Sequence, residues 1–384
     1  MTVRAGRMFA CGALAVLVVS SVALARPVRI GRYTEIPYGI DAAHSYATGL
    51  GDARRTGRVN AEAPRALPRL LWEARLRAGR PSAPAVSADG ILFVSTTAGL
   101  TALDQRGAVL WTLRLGALAG TPSLTPTGDV AVGVVAGALA IVSARGDVLS
   151  RTPVGGAVRG ASLVLVDGSV VMPAFDQAVH RFDADGRRLF RTAMDYQVVG
   201  SPAWSPRGEI LVPTADRVVS LSSDGEVRGS ASVGAGIVAG PAVADDGSIW
   251  LLSQDAVLHQ LSPDLRLRTR TELTQSVTPA NAFAIGHDGA VRVGTRGGAL
   301  VCVGPNGTER WRLDSEGGFL GGVSIDRSDV TLAVNDDGLL LAVDHNGAVL
   351  WRVQTGNRSD AAPVLGPDGT IYVATMRGTV QAFR

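Results

Sequence analysis

The sequence predicts an all-β fold, an eight-bladed β-propeller of four-stranded antiparallel blades closed by an N-terminal strand. Three observations lead there. One motif recurs eight times at a spacing near 40 residues. Each copy carries two glycine-marked hairpin turns between short apolar runs, with no helical periodicity. The last copy lacks its fourth strand, and a segment of the right form precedes the first.

The first element is an export signal at residues 1–25. Arg4 and Arg7 give a positive start, the run from Met8 to Leu24 is almost wholly apolar, and Ala23-Leu24-Ala25 supplies a small-x-small cleavage pattern. Cleavage is expected after Ala25. An uncleaved anchor is the alternative, but an apolar run of about 17 residues is at the short limit for a spanning helix. Cys11 sits near the start of that run and not at its end, where a lipidated cysteine belongs. Cleavage leaves Cys302 alone, so no intramolecular disulfide forms. Its alternating context, "GGALVCVG", reads as a buried strand position.

Residues 26–67 form a basic arm or linker, and residues 68–384 form the propeller. Residues 26–80 hold 11 arginines against 5 acids, whereas residues 81–384 hold 24 against 29. A basic arm precedes an acidic body, although the formal net charge of the whole chain is only +3. The arm either meets an anionic lipid or partner or lies on its own propeller. All 37 basic side chains are arginine, and their excess is neither large nor clustered enough for a nucleic-acid binder.

The repeats keep register. Gly90, Gly128, Gly168, Gly208, Gly247, Gly289, Ser328 and Gly369 mark the first turn of each copy. Gly107, Gly146, Gly186, Gly225, Leu265, Gly307 and Gly347 mark the second. Such points need positive φ or local side-chain hydrogen bonds, which glycine and aspartate provide. "PRLLWEARLRAG" has the form of the missing last strand, so residues from about Leu70 to Leu76 complete the eighth blade and leave no open edge. The innermost strands are preceded by Ala83, Thr121, Ala161, Ser201, Gly240, Ala282, Gly321 and Ala362, all small, as crowding at the axis demands. Trp72, Trp111, Trp311 and Trp351, with Phe190 at the same position, are read as wedges that dock one blade on the next.

A repeat such as "PAVSADGILFVSTTAGLTALDQRGAVLW" resembles that of the pyrroloquinoline quinone (PQQ)-like β-propellers, the quinoprotein alcohol dehydrogenase-like superfamily. The resemblance spans Leu70 to Arg384, and "GDARRTGRV" at Gly51 to Val59 looks like the lead-in of exported propellers of this kind. The family includes PQQ-dependent dehydrogenases and non-enzymatic proteins such as the outer-membrane assembly lipoprotein BamB. A dehydrogenase of this family implies a calcium site of acidic and amide side chains, a catalytic aspartate and often adjacent cysteines. Adjacent cysteines are absent from the sequence. Asn281 and Asp360 make only a weak metal pair, and "NDDG", "ADDG" and "DADG" lack the continuation of a calcium loop. His180 and His259 share a repeat position two blades apart, too far for a common metal.

The expected function is therefore a BamB-like, non-catalytic interaction platform, exported to the periplasm or secreted, monomeric and without cofactor. Its partner is a protein, in the specific form an outer-membrane assembly component. Arg159, Asp195, Tyr196 and Arg358, in longer or charged turns, are the candidate rim contacts. A small-ligand sensor for a quinone or sugar is the alternative, and a PQQ-dependent oxidoreductase ranks third.

Overall fold

The computed structural model describes residues 29–30, 33–34, 44 and 46–384, less 77–78, 159 and 278–282. The export signal with its boundary after Ala25, and Cys11, lie outside the described residues. Two short strands, Arg29–Ile30 and Tyr33–Thr34, pair with each other. Every other strand belongs to one of eight antiparallel four-stranded sheets, and the described residues contain no helix.

Blade 1 is Ala85–Val86, Leu92–Ser95, Leu100–Leu103 and Val109–Leu113, from the axis outward. Blade 2 is Leu118–Leu124, Val130–Val134, Ala138–Val142 and Val148–Pro153; blade 3 is Leu163–Val164, Val170–Ala174, Ala178–Phe182 and Arg188–Ala193. Blade 4 is Ala203–Trp204, Ile210–Pro213, Arg217–Leu221 and Val227–Ser232; blade 5 is Ile237–Val243, Ile249–Ser253, Val257–Leu261 and Leu267–Glu272. Blade 6 is Ala284–Ile285, Val291–Gly294, Ala299–Val303 and Glu309–Asp314; blade 7 is Ser324–Ile325, Thr331–Val334, Leu339–Val343 and Val349–Gln354. Blade 8 is Val364–Leu365, Ile371–Ala374 and Thr379–Phe383, completed by Leu70–Arg75.

The sequence pattern follows from this geometry. The middle strands are sandwiched between neighbouring blades, so both of their faces are buried and they read as continuous apolar runs. The outermost strands have one free edge and alternate between half-buried and exposed positions. Cys302 is fully buried in blade 6, where desolvation pushes its thiol up to about 11 and keeps it an unreactive thiol.

The ring closes through Leu70–Arg75, whose Trp72 pairs with Ala382 and Arg75 with Thr379. Arg69 and Arg384 exchange backbone hydrogen bonds at 2.8 and 2.9 Å. The turn register needs one correction. In blade 7 the residue with positive φ is Asp329 (60°), not Ser328. Its N–H donates to Asp326 O at 3.1 Å, as Gly369 N–H does to Gly366 O. Gly289, Asp329 and Gly369 are then separated by two steps of 40 residues.

The aromatic residues on the outer strands meet the next blade. Trp72 donates its indole N–H to Gln105 O (2.8 Å), Trp111 to Ala144 O (3.0 Å) and Trp311 to His345 O (2.9 Å). Each acceptor lies in the second turn of the following blade. A Cβ built on Gly107 stands 2.6 Å from the Trp72 ring, and one on Gly146 stands 2.9 Å from that of Trp111. Those glycines therefore supply close approach as well as positive φ. Phe190 lies in the same way against Gly225. Blade 8 has no such turn, because its outer strand comes from the other end of the chain. Trp351 instead donates to Pro64 O at 2.7 Å.

Pro64 ends a segment that threads the whole ring. From Tyr46 onward the chain passes blades 1 to 8 in order and hydrogen-bonds to the end of one innermost strand after another. The N–H groups of Val86, Leu124, Trp204, Val243, Ile285 and Ile325, each the last residue of its innermost strand, donate to the carbonyls of Tyr46, Ala47, Ala53, Arg54, Thr56 and Gly57 at 2.7 to 2.9 Å. At blade 3, Thr48 Oγ1 donates to Ser162 O at 3.3 Å. Beyond Gly57, Val59 N–H donates to Ile325 O and Ala63 N–H to the buried carboxylate of Asp326. Tyr46, Val59, Ala61 and Ala63 are buried in the core shared by blades 7, 8 and 1. Residues 46–64, within the stretch the sequence assigns to an arm, thus form a collar on the face that carries the first and second turns.

The collar's charge is locally compensated. Arg58 grips Asp245 with both ends of its guanidinium, at 2.7 and 2.8 Å, and Arg54 adds a third contact at 2.6 Å. The Arg58 hydrogen bond is the main cause that holds the Asp245 carboxyl well below the usual carboxylate range. A depressed folded value means that the unfolded chain binds more protons in acid. The stabilisation is therefore complete above about pH 5 and is lost as pH falls from there toward the folded value. The carboxylate is half exposed, so the effect is screened to about 1 kcal/mol. Asp245→Asn is expected to flatten the stability profile between about pH 5 and pH 3 in urea titrations. An unchanged acid slope in that variant excludes the pair as its cause.

Candidate functional site

The two faces of the ring differ. One carries the collar and the turns at Gly90 and Gly107 and their equivalents. The opposite, open face carries the connections between blades and the turns between second and third strands.

An axial cavity of about 340 Å³ lies between them. Ala83, Thr121, Ala161, Ser201 and Ala362 from the small-residue column line it; in blade 7 Gly322 does so, and Ala282 lies outside the described residues. The blades approach so closely here that a Cβ on Gly120 would stand 2.8 Å from Ala161 N, and Ser201 Oγ accepts a hydrogen bond from Ala161 N–H at 2.9 Å. The innermost strands run only a few residues from this level to the collar, about 3.3 Å per residue. The collar residues Tyr46, Gly49, Leu50 and Arg55 consequently form the cavity floor. Asp360 also lines the cavity and is paired with Arg80; Asn281 lies outside the described residues.

The candidate rim residues separate. Asp195 and Tyr196 lie on the open face between blades 3 and 4, where the Arg217 guanidinium sits 4.1 Å over the Tyr196 ring. Arg358 is on the same face between blades 7 and 8, on the far side of the axis, and its carbonyl accepts from Met376 N–H. Arg159 lies outside the described residues. Two residues of the same sector were not picked out by sequence. Phe175, in a turn of blade 3, is 46% exposed, and Val199, beside Tyr196, is 44% exposed. Phe175 follows directly on the strand Val170–Ala174 and reads as more of it, and Val199 follows the bridge residue Val198 in an apolar pair that reads as strand.

The other candidates are structural in their contacts. His180 is fully buried, and its Nε2 meets both Asp176 oxygens at 3.1 and 3.2 Å. Burial first, and then the nearby Arg188 and Arg191, lower its pKa against the raising effect of the Asp176 carboxylate. His259 bonds Ser253 Oγ at 2.8 Å through Nε2. The Asn335 side-chain Oδ1 of "NDDG" accepts from Asp337 and Leu339 N–H, and the Asp183 carboxylate of "DADG" from Asp185 and Arg187 N–H, the bonding of turns. Among the described residues no group of three or more His, Cys, Asp or Glu is placed to hold a metal ion, and no helix is long and apolar enough to cross a membrane.

Comparison with known proteins agrees with this geometry. Among solved structures, BamB from Moraxella catarrhalis superposes with a TM-score of 0.66 at 17% identity, over 83% of this chain and 98% of that one. A europium-containing methanol dehydrogenase gives 0.72 at 13% identity, over 88% and 90%. The quinohemoprotein alcohol dehydrogenase from Comamonas testosteroni gives 0.73 at 14% identity, over 88% and 80%. At these identities the likeness is one of fold, and it joins enzymes and a non-dehydrogenase alike. No curated protein sequence matches the chain. A family profile described as "Outer membrane protein assembly factor BamB" matches residues 96–259 and 239–384, most of the ring, and the chain accordingly belongs to that family of PQQ-like propellers.

Proposed function

We propose that the protein is an exported, non-catalytic propeller that docks an envelope protein through the open face, in the sector of blades 3 and 4. The observation that carries this is the exposed cluster of Phe175, Tyr196 (39% exposed) and Val199, with Arg217 beneath Tyr196 and Asp195 alongside. Aromatic and arginine side chains of this kind supply most of the energy where protein surfaces meet, and a ring face is wide enough for the ~800 Å² per partner of a standard interface. Family membership supports an assembly role for the partner, and residues 1–25 support export. The lack of adjacent cysteines favours the non-catalytic branch of the family.

Photo-crosslinkers at positions 196 and 358, activated in intact cells before affinity purification, test this. The expected result is a single envelope protein in near-stoichiometric adduct from position 196 and little from position 358. Recovery of the propeller alone from both positions overturns the reading.

A further inference from the structure

We propose that the axial cavity is a binding site for a small oxyanion, a carboxylate or phosphate group, recognised by Arg55 from the collar. The proposal goes beyond partner docking and does not depend on it.

Arg55 lines the cavity floor, on backbone held at φ 61°, a region that side-chain-bearing residues rarely adopt. The collar's other cations in this stretch are engaged: Arg54 and Arg58 both bind Asp245. Arg55 donates its backbone N–H to Asp52 O at 3.0 Å, but its guanidinium has no ion pair or hydrogen bond among the described residues, and its Nε is enclosed without a partner. The acid of the same loop, Asp52, accepts instead from the N–H and hydroxyl of Thr56. Asp360, the carboxylate lining the cavity, is taken by Arg80. Burial brings Arg55 down to about 10, so it is still a cation at neutral pH. Tyr46, on the same floor, has a buried hydroxyl that meets no acceptor, and the Leu50 backbone group beside it is a donor.

The floor thus offers a guanidinium and a hydroxyl that both lack an acceptor. A half-buried guanidinium that feels the Asp52 carboxylate but makes no ion pair is incompletely compensated, and a guanidinium fork is suited to grip two oxygens of one anion. The space is adequate. A volume of about 340 Å³ exceeds the ~30 Å³ share of one water by an order of magnitude and falls within the range of small-molecule pockets. The small-residue walls leave it unfilled, and it opens on the face opposite the collar.

The test is calorimetric titration and thermal denaturation of the mature protein with inorganic phosphate and, separately, citrate, against chloride at matched ionic strength. At least one oxyanion is expected to bind and to raise Tm by about 2 °C or more at saturating concentration. The two titrations distinguish phosphate from carboxylate chemistry. Arg55→Gln is expected to weaken binding at least tenfold, Arg55→Lys less. Without anion, Arg55→Gln should melt no lower than the natural protein, because it removes a half-buried charge that makes no ion pair; a merely structural arginine would give the reverse. Absence of oxyanion binding to the natural protein overturns the proposal, independently of how any variant folds. Binding that survives unchanged in Arg55→Gln does so as well.

Discussion

A mature chain that begins at Arg65, without the collar, is expected to lose most of its folding stability. Eight main-chain hydrogen bonds tie the collar to the ends of six innermost strands. At about 0.5 to 1.5 kcal/mol net for each, they amount to several kcal/mol, against a typical total of ~5 to 15 kcal/mol. The loss does not stop there. Truncation also exposes the apolar surface that Tyr46, Val59, Ala61 and Ala63 bury, and it removes the Ala63 N–H from the buried Asp326 carboxylate. The closing strand Leu70–Arg75 is kept in this truncation, so any effect belongs to the collar and not to ring closure. Urea denaturation should show a large fall in midpoint or no cooperative transition. A truncated chain with the midpoint of the full mature protein would show that the collar only rests on the ring.

The ring was legible in the sequence because its turns require unusual backbone. Positive φ restricts the choice to glycine and a few substitutes, so each turn leaves a mark at a fixed spacing. The one misplacement arose where Asp329 took the left-handed position, since in Asp326-Arg327-Ser328-Asp329 no glycine shows which residue turns. The collar left one such mark, "GDARRTGRV" with positive φ at Gly51 and Gly57, but a single copy has no repeat to show where it lies. It is held through carbonyl groups, which every residue type carries, and so Tyr46, Ala47, Ala53, Arg54, Thr56 and Gly57 share no side-chain pattern. What remained visible was its charge, which left open an outside partner or a place on its own propeller, and Arg54 and Arg58 take the second by pairing with Asp245 of blade 5. The rim was half visible for a related reason. Asp195 and Tyr196 look like loop residues, but Phe175 and Val199 show their exposure only once the strands have ended.

Replacing Trp351 by alanine is expected to cost about 3 to 5 kcal/mol, and more than the same change at Trp111. Both lie on the outer strand of a blade and donate an indole N–H across a blade boundary. They differ in burial and in what they join. Trp351 is only 5% exposed, whereas Trp111 is half-buried, so its deletion leaves the larger void. Trp111 reaches a turn within the next blade, but Trp351 reaches Pro64 and so fastens blade 7 to the end of the collar, where blade 8 has no turn of its own. Trp351→Phe separates the two contributions. It keeps most of the packing and abandons the N–H, for an expected cost of about 1 kcal/mol from that hydrogen bond plus the smaller ring's lost contact. Denaturant titrations of the three variants decide the matter. If Trp111→Ala proves as damaging as Trp351→Ala, the wedge alone sets the energy, and the tie between the outer strand of blade 7 and the collar adds nothing to closure of the ring.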